Sequence, residues 1–254
     1  MDEREARDRI AGQLHEAGLR EGGTVLVHSS LRSLGHVAGG PETVVRGLLD
    51  ALGPAGTLLM PALSYATVNA ANPFFDVAHT PSCVGAIPEY FRTRSGTLRS
   101  VSPTHSVCGT GLMAEELLGH HHLDGTPCGP NSPFRLLREC GGQVLMLGCG
   151  LAPNTSMHAV EELVEPPYLF GAVVAYTVAT CDSRRTQMRC RRHGFEGFVQ
   201  RYDRLGALLS PEELHVGTVR QATVHLIECG GLWAKGEAAL RRDPFHFVDR
   251  RTAR

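Results

Sequence analysis

A histidine and a glutamate stand three residues apart in the segment NTSMHAVEEL, at His158 and Glu161. The apolar run at 143–150 precedes them, which predicts a buried strand followed by a helix that polar residues at 154–156 cap. Residues i and i+3 are neighbours on one helix face. A carboxylate beside an imidazole fixes its tautomer and stabilises the imidazolium, which makes the imidazole a better general base. An ordinary His–Glu pair on a helix surface is the alternative interpretation.

Three other segments are dense in side chains that form hydrogen bonds. The segment VHSSLRSLG, at 27–35, ends an apolar run, and hydroxyls and backbone amides at a strand end hold phosphate or carbonyl oxygens. Its Arg32 adds a cation for phosphate, although a simple capped turn is the alternative. The segments at 98–111 and 121–134 mix Ser, Thr, His, Pro and Gly, as binding loops do.

Neither the histidines nor the cysteines show the spacing of a metal site. We interpret the histidines at 120–122 as solvated loop residues, because consecutive side chains do not converge on one ion in regular structure. The eight cysteines contain no C-x-x-C pair, so we expect free thiols and no metal. A nucleophilic thiol at Cys108 or Cys149, working with His105 or His158, stays open as an alternative.

Composition and charge exclude several classes of protein. The chain has 254 residues and a formal net charge of -1, so no global electrostatic attraction to nucleic acid or to a membrane surface is expected. No run of apolar residues approaches the roughly 18 that a membrane span needs. The charged segment MDEREARDRIAGQL lacks the apolar core of a signal peptide, so we expect a cytoplasmic protein.

Helical and strand patterns alternate along the chain. Apolar spacing, with proline and glycine at the expected ends, predicts helix, strand, helix and strand over the first 65 residues. This order is typical of βαβ units, so we predict an α/β fold with a mainly parallel sheet in one domain spanning 1–254. Further strands are predicted at 143–150, 172–180 and 215–228, a closing helix at 231–240, and long functional loops around one or two helices at 66–135.

Taken in order, these motifs resemble the aminoglycoside 3-N-acetyltransferase family over about 25–250. The matching pieces are VHSSLRSLG, ALGPAGTLLMP, RSVSPTHSVCGTG, TPCGPNSPFRLL, GGQVLMLGCGLAPNTSMHAVEE, RHGFEGF and RRDPFHF. The resemblance implies a three-layer α/β/α sandwich with a mostly parallel central sheet and a smaller antiparallel sheet. It also implies direct acetyl transfer from acetyl-CoA to an amine of an aminoglycoside-like antibiotic, as in antibiotic resistance, without a metal, by a monomer or homodimer.

The resemblance also implies roles for individual residues. His158 matches the family's catalytic histidine and Glu161 its carboxylate partner, while Ser106 or the amides near it would stabilise the oxyanion of the reacting thioester. The residues implied to contact coenzyme A are His28, Ser29, Ser30, Leu31, Arg32, Ser33, Thr104, His105 and Val107. Those expected to contact the acceptor are Tyr65, Asn131, Arg191, Arg192 and His193.

Two departures from the family pattern bear on the acceptor. Ser102 stands where many members have a histidine, although His105 remains. The segment RCRRH at 189–193 carries three arginines where the family often has acidic residues, which would repel a polycation and attract a phosphate or carboxylate. An anionic biosynthetic amine is therefore the alternative acceptor, although the arginines could instead form a solvated strand edge that touches no substrate. A non-catalytic relative that only binds coenzyme A is the alternative of another class.

Overall fold

The structure, a computed structural model, describes residues 2–180 and 184–251, so Cys181 lies outside the described residues. Within these described ranges, three short 3₁₀ helices occur at Leu31–Leu34, His121–Leu123 and Tyr202–Ala207. The other elements, in chain order, are α1 (Glu3–Glu16), β1 (Thr24–Ser29), α2 (Gly40–Leu52), β2 (Thr57–Pro61), β3 (Phe74–Asp76), α3 (Ala86–Thr93), β4 (Leu98–Arg99), β5 (Val107–Gly111), α4 (Ala114–Gly119), α5 (Pro133–Glu139), β6 (Gln143–Leu147), α6 (Ser156–Val164), β7 (Phe170–Ala179), β8 (Arg185–His193), β9 (Phe198–Gln200), β10 (Leu214–Val219), β11 (Ala222–Glu228), α7 (Cys229–Arg242) and β12 (Val248–Arg250).

A seven-stranded sheet in the order β10-β11-β6-β1-β2-β5-β4 forms the centre of the fold. Its three middle strands are parallel, because β1 pairs in parallel with both β2 and β6. The flanking strands β11 and β5 are antiparallel to their inner neighbours. The carboxyl ends of β1, β2 and β6 therefore share one edge of the sheet, where open α/β sheets bind their ligands.

The strands alternate their apolar side chains between two cores. Val25 and Val27 of β1 pack with residues of α1, α2 and α3 on one face, whereas Leu26 packs with residues of α4 to α7 on the other. Each of these three side chains is fully buried, which is worth roughly 1.5–3 kcal/mol per side chain. Burial on both faces explains why the strands read as unbroken apolar runs. The predicted α/β/α layers are confirmed.

A smaller sheet stands beside the main one. Strand β7 pairs in parallel with β3 and antiparallel with the long strand β8, and Phe75, Tyr176 and Cys190 bury a separate small core. This sheet brings the end of β8 to the edge where β6 leads into α6. Among the described residues, no helix is both long enough and apolar enough to cross a membrane.

Two expectations are wrong, one for the segment 66–135 and one for His121. The segment 66–135, predicted as long loops around one or two helices, also contributes the strands β3, β4 and β5, and β5 joins the main sheet. The segment 215–228, predicted as strand, forms the antiparallel hairpin of β10 and β11. His121 is fully buried and hydrogen-bonded to Ser100 and to the Pro127 carbonyl, so only its two neighbours are exposed loop histidines.

Candidate active site

A cavity of about 530 Å³ opens near the carboxyl ends of the parallel strands. Segments that are far apart in the chain form its wall: the loop after β2, the turn before β5, the start of α6, the end of β8 and the 3₁₀ helix after β9. The lining residues are Leu63, Tyr65, Val68, Asn69, Val84, Thr104, His105, Ala152, Pro153, Thr155, His158, Tyr176, Arg192, His193, Phe195, Gln200, Tyr202 and Arg251.

His158 and Glu161 are neighbours on α6, as the spacing predicts. The Asn154 side chain accepts a hydrogen bond from the Ser156 amide and starts the helix in the predicted place. His158 Nδ1 lies 3.1 Å from Glu161 Oε2. The glutamate side chain is fully buried, whereas the histidine keeps 13% of its surface exposed, toward the cavity it lines. The pair is thus not the ordinary surface pair of the alternative interpretation.

Two buried phenols complete the surroundings of Glu161. The Tyr202 hydroxyl donates to Glu161 Oε2 at 2.7 Å and lies 2.8 Å from His158 Nδ1, while Tyr168 donates to Oε1 at 2.8 Å. Burial, and then the Glu161 charge, raises the pKa of both phenols, so each stays protonated and serves as a donor. These partners assign the proton of His158 to Nδ1, which leaves an acceptor lone pair on Nε2.

Two more imidazoles lie beside His158. The His105 and His193 rings have centroids 5.6 and 4.8 Å from the His158 centroid, and 5.0 Å from each other. Glu162, the residue after Glu161, holds one of them: its Oε1 lies 2.7 Å from His193 Nε2. Burial, followed by the neighbouring histidine charges, lowers the pKa of both His105 and His193 well below the ordinary value, so both rings are neutral.

The structure brings some of the predicted residues to the cavity and not others. Tyr65, Thr104, His105, His158, Arg192 and His193 line it. Ser106 does not: its buried hydroxyl donates to the Ala62 carbonyl and accepts from Arg99, so it has no hydrogen left for an oxyanion. Three other residues also lie outside the lining: Val107 is buried in the core, Asn131 bonds to Asp124, and Arg191 stacks on Phe170.

The predicted coenzyme A loop, His28 to Ser33, begins with the last two residues of β1 and continues past the end of the strand at the same sheet edge. None of its residues lines the described cavity. Ser33 donates to the Gly148 carbonyl, which ties the loop to the segment after β6, and Arg32 is exposed. Burial, and then the His158 charge, lowers the pKa of His28 to about 3, and its Nε2 has no hydrogen-bond partner.

The thiols do not support the cysteine-nucleophile alternative. The seven cysteines within the described residues are all free. Burial raises the pKa of Cys108 to about 12 and that of Cys149 to about 11, and neither residue lines the cavity. Because the thiolate is the nucleophile, thiols held in the protonated form are poor candidates.

Several residues of the site were not predicted from sequence. Tyr168 and Tyr202 reach Glu161 from 7 and 41 residues away, so no helical spacing reveals them. Glu162 could have been found from the sequence, because a second acidic residue beside Glu161 in an otherwise apolar helix face indicates a buried partner. Arg251 and Asn69 come from segments without any chemical motif.

Comparisons with known proteins agree with this arrangement. The family model described as aminoglycoside 3-N-acetyltransferase matches residues 26–241. Aminoglycoside N(3)-acetyltransferase VII of Streptomyces paromomycinus is 35% identical over 178 residues, in an alignment that covers 63% of this chain and 62% of that protein. The corresponding type VIII protein of Streptomyces fradiae is 33% identical over 198 residues, in an alignment that covers 66% of this chain and 67% of that protein. The chain thus spans less than two thirds of the first relative.

Solved structures extend the likeness to nearly the whole chain. Aminoglycoside acetyltransferase AAC(3)-IVa, crystallised as a histidine-to-alanine variant with gentamicin, superposes with a TM-score of 0.81 at 29% identity and covers 95% of this chain and 90% of its own. AAC-IIIb in a binary complex with CoASH superposes with a TM-score of 0.82 at 27% identity. This match covers 93% of this chain and 96% of AAC-IIIb. These two likenesses confirm the predicted fold.

We predict that Tyr168→Phe lowers the free energy of unfolding by roughly 1–3 kcal/mol, because it removes a donor from a buried carboxylate. Tyr90→Phe is a matched control, since Tyr90 donates to Glu42 in a partly exposed pair. Its loss should stay within about 0.5 kcal/mol. Urea denaturation of both variants measures the difference, and equal losses would contradict the role given to burial.

Stability should fall as pH falls from about 7 to about 5.5. Histidines whose pKa is lowered on folding bind protons mainly in the unfolded chain, so acidification below 6.5 favours unfolding. Each of His28, His105 and His193 contributes about 1 kcal/mol over this range. Denaturant titrations at several pH values measure the slope. His28→Gln should flatten it and the exposed His122→Gln should not; a pH-independent stability would overturn the assignment.

Proposed function

We propose, from the premise that this chain belongs to the aminoglycoside 3-N-acetyltransferase family, that it is an acyl-CoA-dependent N-acetyltransferase. The donor is acetyl-CoA, and the acceptor is an amine of a small molecule such as an aminoglycoside. Relatives whose solved structures contain CoASH or gentamicin support the two substrates. We also propose one domain over 1–254, a cytoplasmic location and a monomer or homodimer.

The reaction is a direct transfer with His158 as general base. The observation that carries this proposal is a histidine at the cavity wall whose Nδ1 is held by Glu161 and Tyr202. The acceptor nitrogen attacks the thioester carbonyl carbon and gives its proton to His158 Nε2. The tetrahedral intermediate then collapses, the C–S bond breaks, and His158 Nε2 passes the proton to the sulfur, so that coenzyme A leaves as the thiol. A positioned base of this kind is worth roughly 10²–10⁴-fold.

Thr104 is the proposed donor to the oxyanion. It lines the cavity, and its Oγ1 lies 2.8 Å from His105 Nδ1. If that nitrogen donates, the Thr104 hydroxyl hydrogen is free to point to the thioester oxygen. Ser106, predicted from sequence for this role, has its hydrogen committed to Ala62. Oxyanion donors of this kind typically contribute several kcal/mol to transition-state stabilisation.

Coenzyme A is proposed to bind along the His28–Ser33 loop. Arg32 is exposed and offers a charge to phosphate, and the 3₁₀ helix Leu31–Leu34 supplies backbone amides at its start. His28 is near enough to His158 for their charges to interact, so this loop and the base share one region of the sheet edge.

We predict that His158→Ala lowers kcat by roughly 10²–10⁴-fold while leaving coenzyme A affinity within about twofold, because the base acts only on the acceptor. Turnover is measured as the consumption of acetyl-CoA, which chromatography monitors. Calorimetry measures the affinity for coenzyme A. His122→Ala, at an exposed loop position, is the control. Unchanged turnover in His158→Ala would exclude this base. Absent turnover in the unmodified chain would favour the non-catalytic coenzyme A-binding alternative.

A second candidate acceptor is an anionic amine. The observation in its favour is that the cavity lining contains two arginines, Arg192 and Arg251, and no carboxylate. Glu196 pairs with Arg192 from an exposed position at 2.9 Å. Polycationic aminoglycosides would find no counter-ion among these lining residues, whereas a carboxylate or phosphonate on the acceptor would find two. Arg189 and Arg191, which the sequence grouped with Arg192, are exposed and do not line the cavity.

Kinetics with acceptors of opposite charge separate the two candidates. For the anionic candidate, an amine carrying a carboxylate or phosphonate should have a higher kcat/KM than a kanamycin-type polycation. Arg192→Gln should reduce that kcat/KM by roughly tenfold, the value of one charge-assisted hydrogen bond. Glu196→Gln, which frees Arg192, should raise it. Rapid turnover of the polycation at micromolar concentration, with no effect of Arg192→Gln on the anionic amine, would reject this candidate.

A further inference from the structure

The three histidines of the cavity wall meet a geometric condition that acetyl transfer does not require. One ring nitrogen from each of His105, His158 and His193 lies within 4.8 Å of the others. A tetrahedral zinc ion with Zn–N distances of about 2.0–2.1 Å needs its ligand nitrogens about 3.3 Å apart. Small rotations of the rings about their side-chain bonds would therefore bring the three nitrogens onto one ion.

Each imidazole also has its second nitrogen held by a neighbour. His158 Nδ1 bonds to Glu161 and Tyr202, and His193 Nε2 lies 2.7 Å from Glu162. His105 Nδ1 lies 2.8 Å from the Thr104 hydroxyl. Histidines that bind metals almost always have this outer contact, which fixes the tautomer and turns the free nitrogen to the ion.

The most telling group is Nδ1 of His193. The side chain is 6% exposed, and its Nδ1 has no hydrogen-bond partner. A buried nitrogen with an unused lone pair costs free energy, so its persistence calls for a ligand. With Nε2 donating to Glu162, this lone pair is available, and the ring lies 4.8 Å from that of His158, centroid to centroid.

We propose that His105, His158 and His193 bind a divalent transition-metal cation, with zinc as the probe, and that the bound ion blocks the cavity. Three neutral imidazoles suit zinc, copper or nickel, whereas magnesium and calcium prefer oxygen ligands. The fourth position of the ion faces the cavity and would hold water. The site is separate in purpose from the reaction, for which no metal is proposed.

A second grouping in the described part of the chain fits a metal less well. Cys128, Glu162 and His193 also have ligand atoms within 4.8 Å of one another. The Glu162 carboxylate already accepts bonds from Thr126 and from the Cys128 amide. Burial raises the pKa of Cys128 well above its ordinary value, so the thiolate that a metal needs is disfavoured there. The three histidines are the better ligand set.

Occupancy would inhibit acetyl transfer. A metal on His158 takes the lone pair that the acceptor proton needs, and the ion and its water take the space of the amine. This consequence rests on the proposed function. Metal binding itself does not depend on the proposed function. Binding and inhibition are therefore measured in separate experiments, and either one can fail without the other.

Equilibrium dialysis of the tag-free full chain with Zn²⁺ alone tests the site. We expect one ion per chain and no comparable binding of Mg²⁺. His105→Asn and His193→Asn should each abolish that ion, while Glu162→Gln should weaken it by roughly 10–100-fold. His122→Asn, at an exposed histidine, is the control that should bind as the unmodified chain does. A cooperative thermal unfolding transition, measured by circular dichroism, shows that each variant is folded.

Cobalt spectroscopy identifies the ligand atoms. Co²⁺ should give weak visible bands typical of nitrogen and oxygen ligands, without the intense near-ultraviolet absorption of a thiolate ligand. Zinc should inhibit acetyl-CoA consumption competitively with the acceptor, and a chelator should restore it. Unchanged zinc binding in both histidine variants, or a thiolate spectrum, would overturn the proposed site. Full zinc occupancy without inhibition would overturn the blocking role alone.

Discussion

The buried charge of Glu161 is the constraint around which the site is organised. Its side chain has no exposure, and removing a carboxylate from water costs several kcal/mol unless donors replace the lost hydration. Three donors do so here, from His158 in the same helix, Tyr168 in the following loop and Tyr202 in a later 3₁₀ helix. Satisfying one carboxylate therefore fixes two other segments relative to α6, and it also sets the orientation of His158.

The same device is repeated one residue later. Glu162 is also nearly buried and receives His193 from strand β8, together with Thr126 and the Cys128 amide. Consecutive helix residues point about 100° apart, so the two carboxylates hold two imidazoles from different directions. Each carboxylate contacts one nitrogen of its imidazole, and the lone pair of the other nitrogen stays free. This arrangement supports the proposed role of His158 as a base and the proposed use of the three rings as metal ligands.

The sequence predicts what is local and misses what depends on tertiary contacts. His158 and Glu161 were found because helix geometry alone makes residues i and i+3 neighbours. Tyr202 was not, because its contact with Glu161 depends on how the chain returns to α6 after β9. Ser106 shows a different limit: the family resemblance implied an oxyanion role for its hydroxyl, but Arg99 and the Ala62 carbonyl decide where that hydroxyl points.

The arginine charges in the cavity affect which protonation state of the acceptor amine is bound next to the proposed base. A general base can assist the attack only of an amine that is already unprotonated, because an ammonium nitrogen has no lone pair with which to attack. Arg192 and Arg251 line the same cavity, and nearby positive charge lowers the pKa of a bound amine. The arginines would therefore disfavour an acceptor with many ammonium groups, yet help a single amine to lose its proton. Selectivity against polycations and activation of the nucleophile would then have one electrostatic cause.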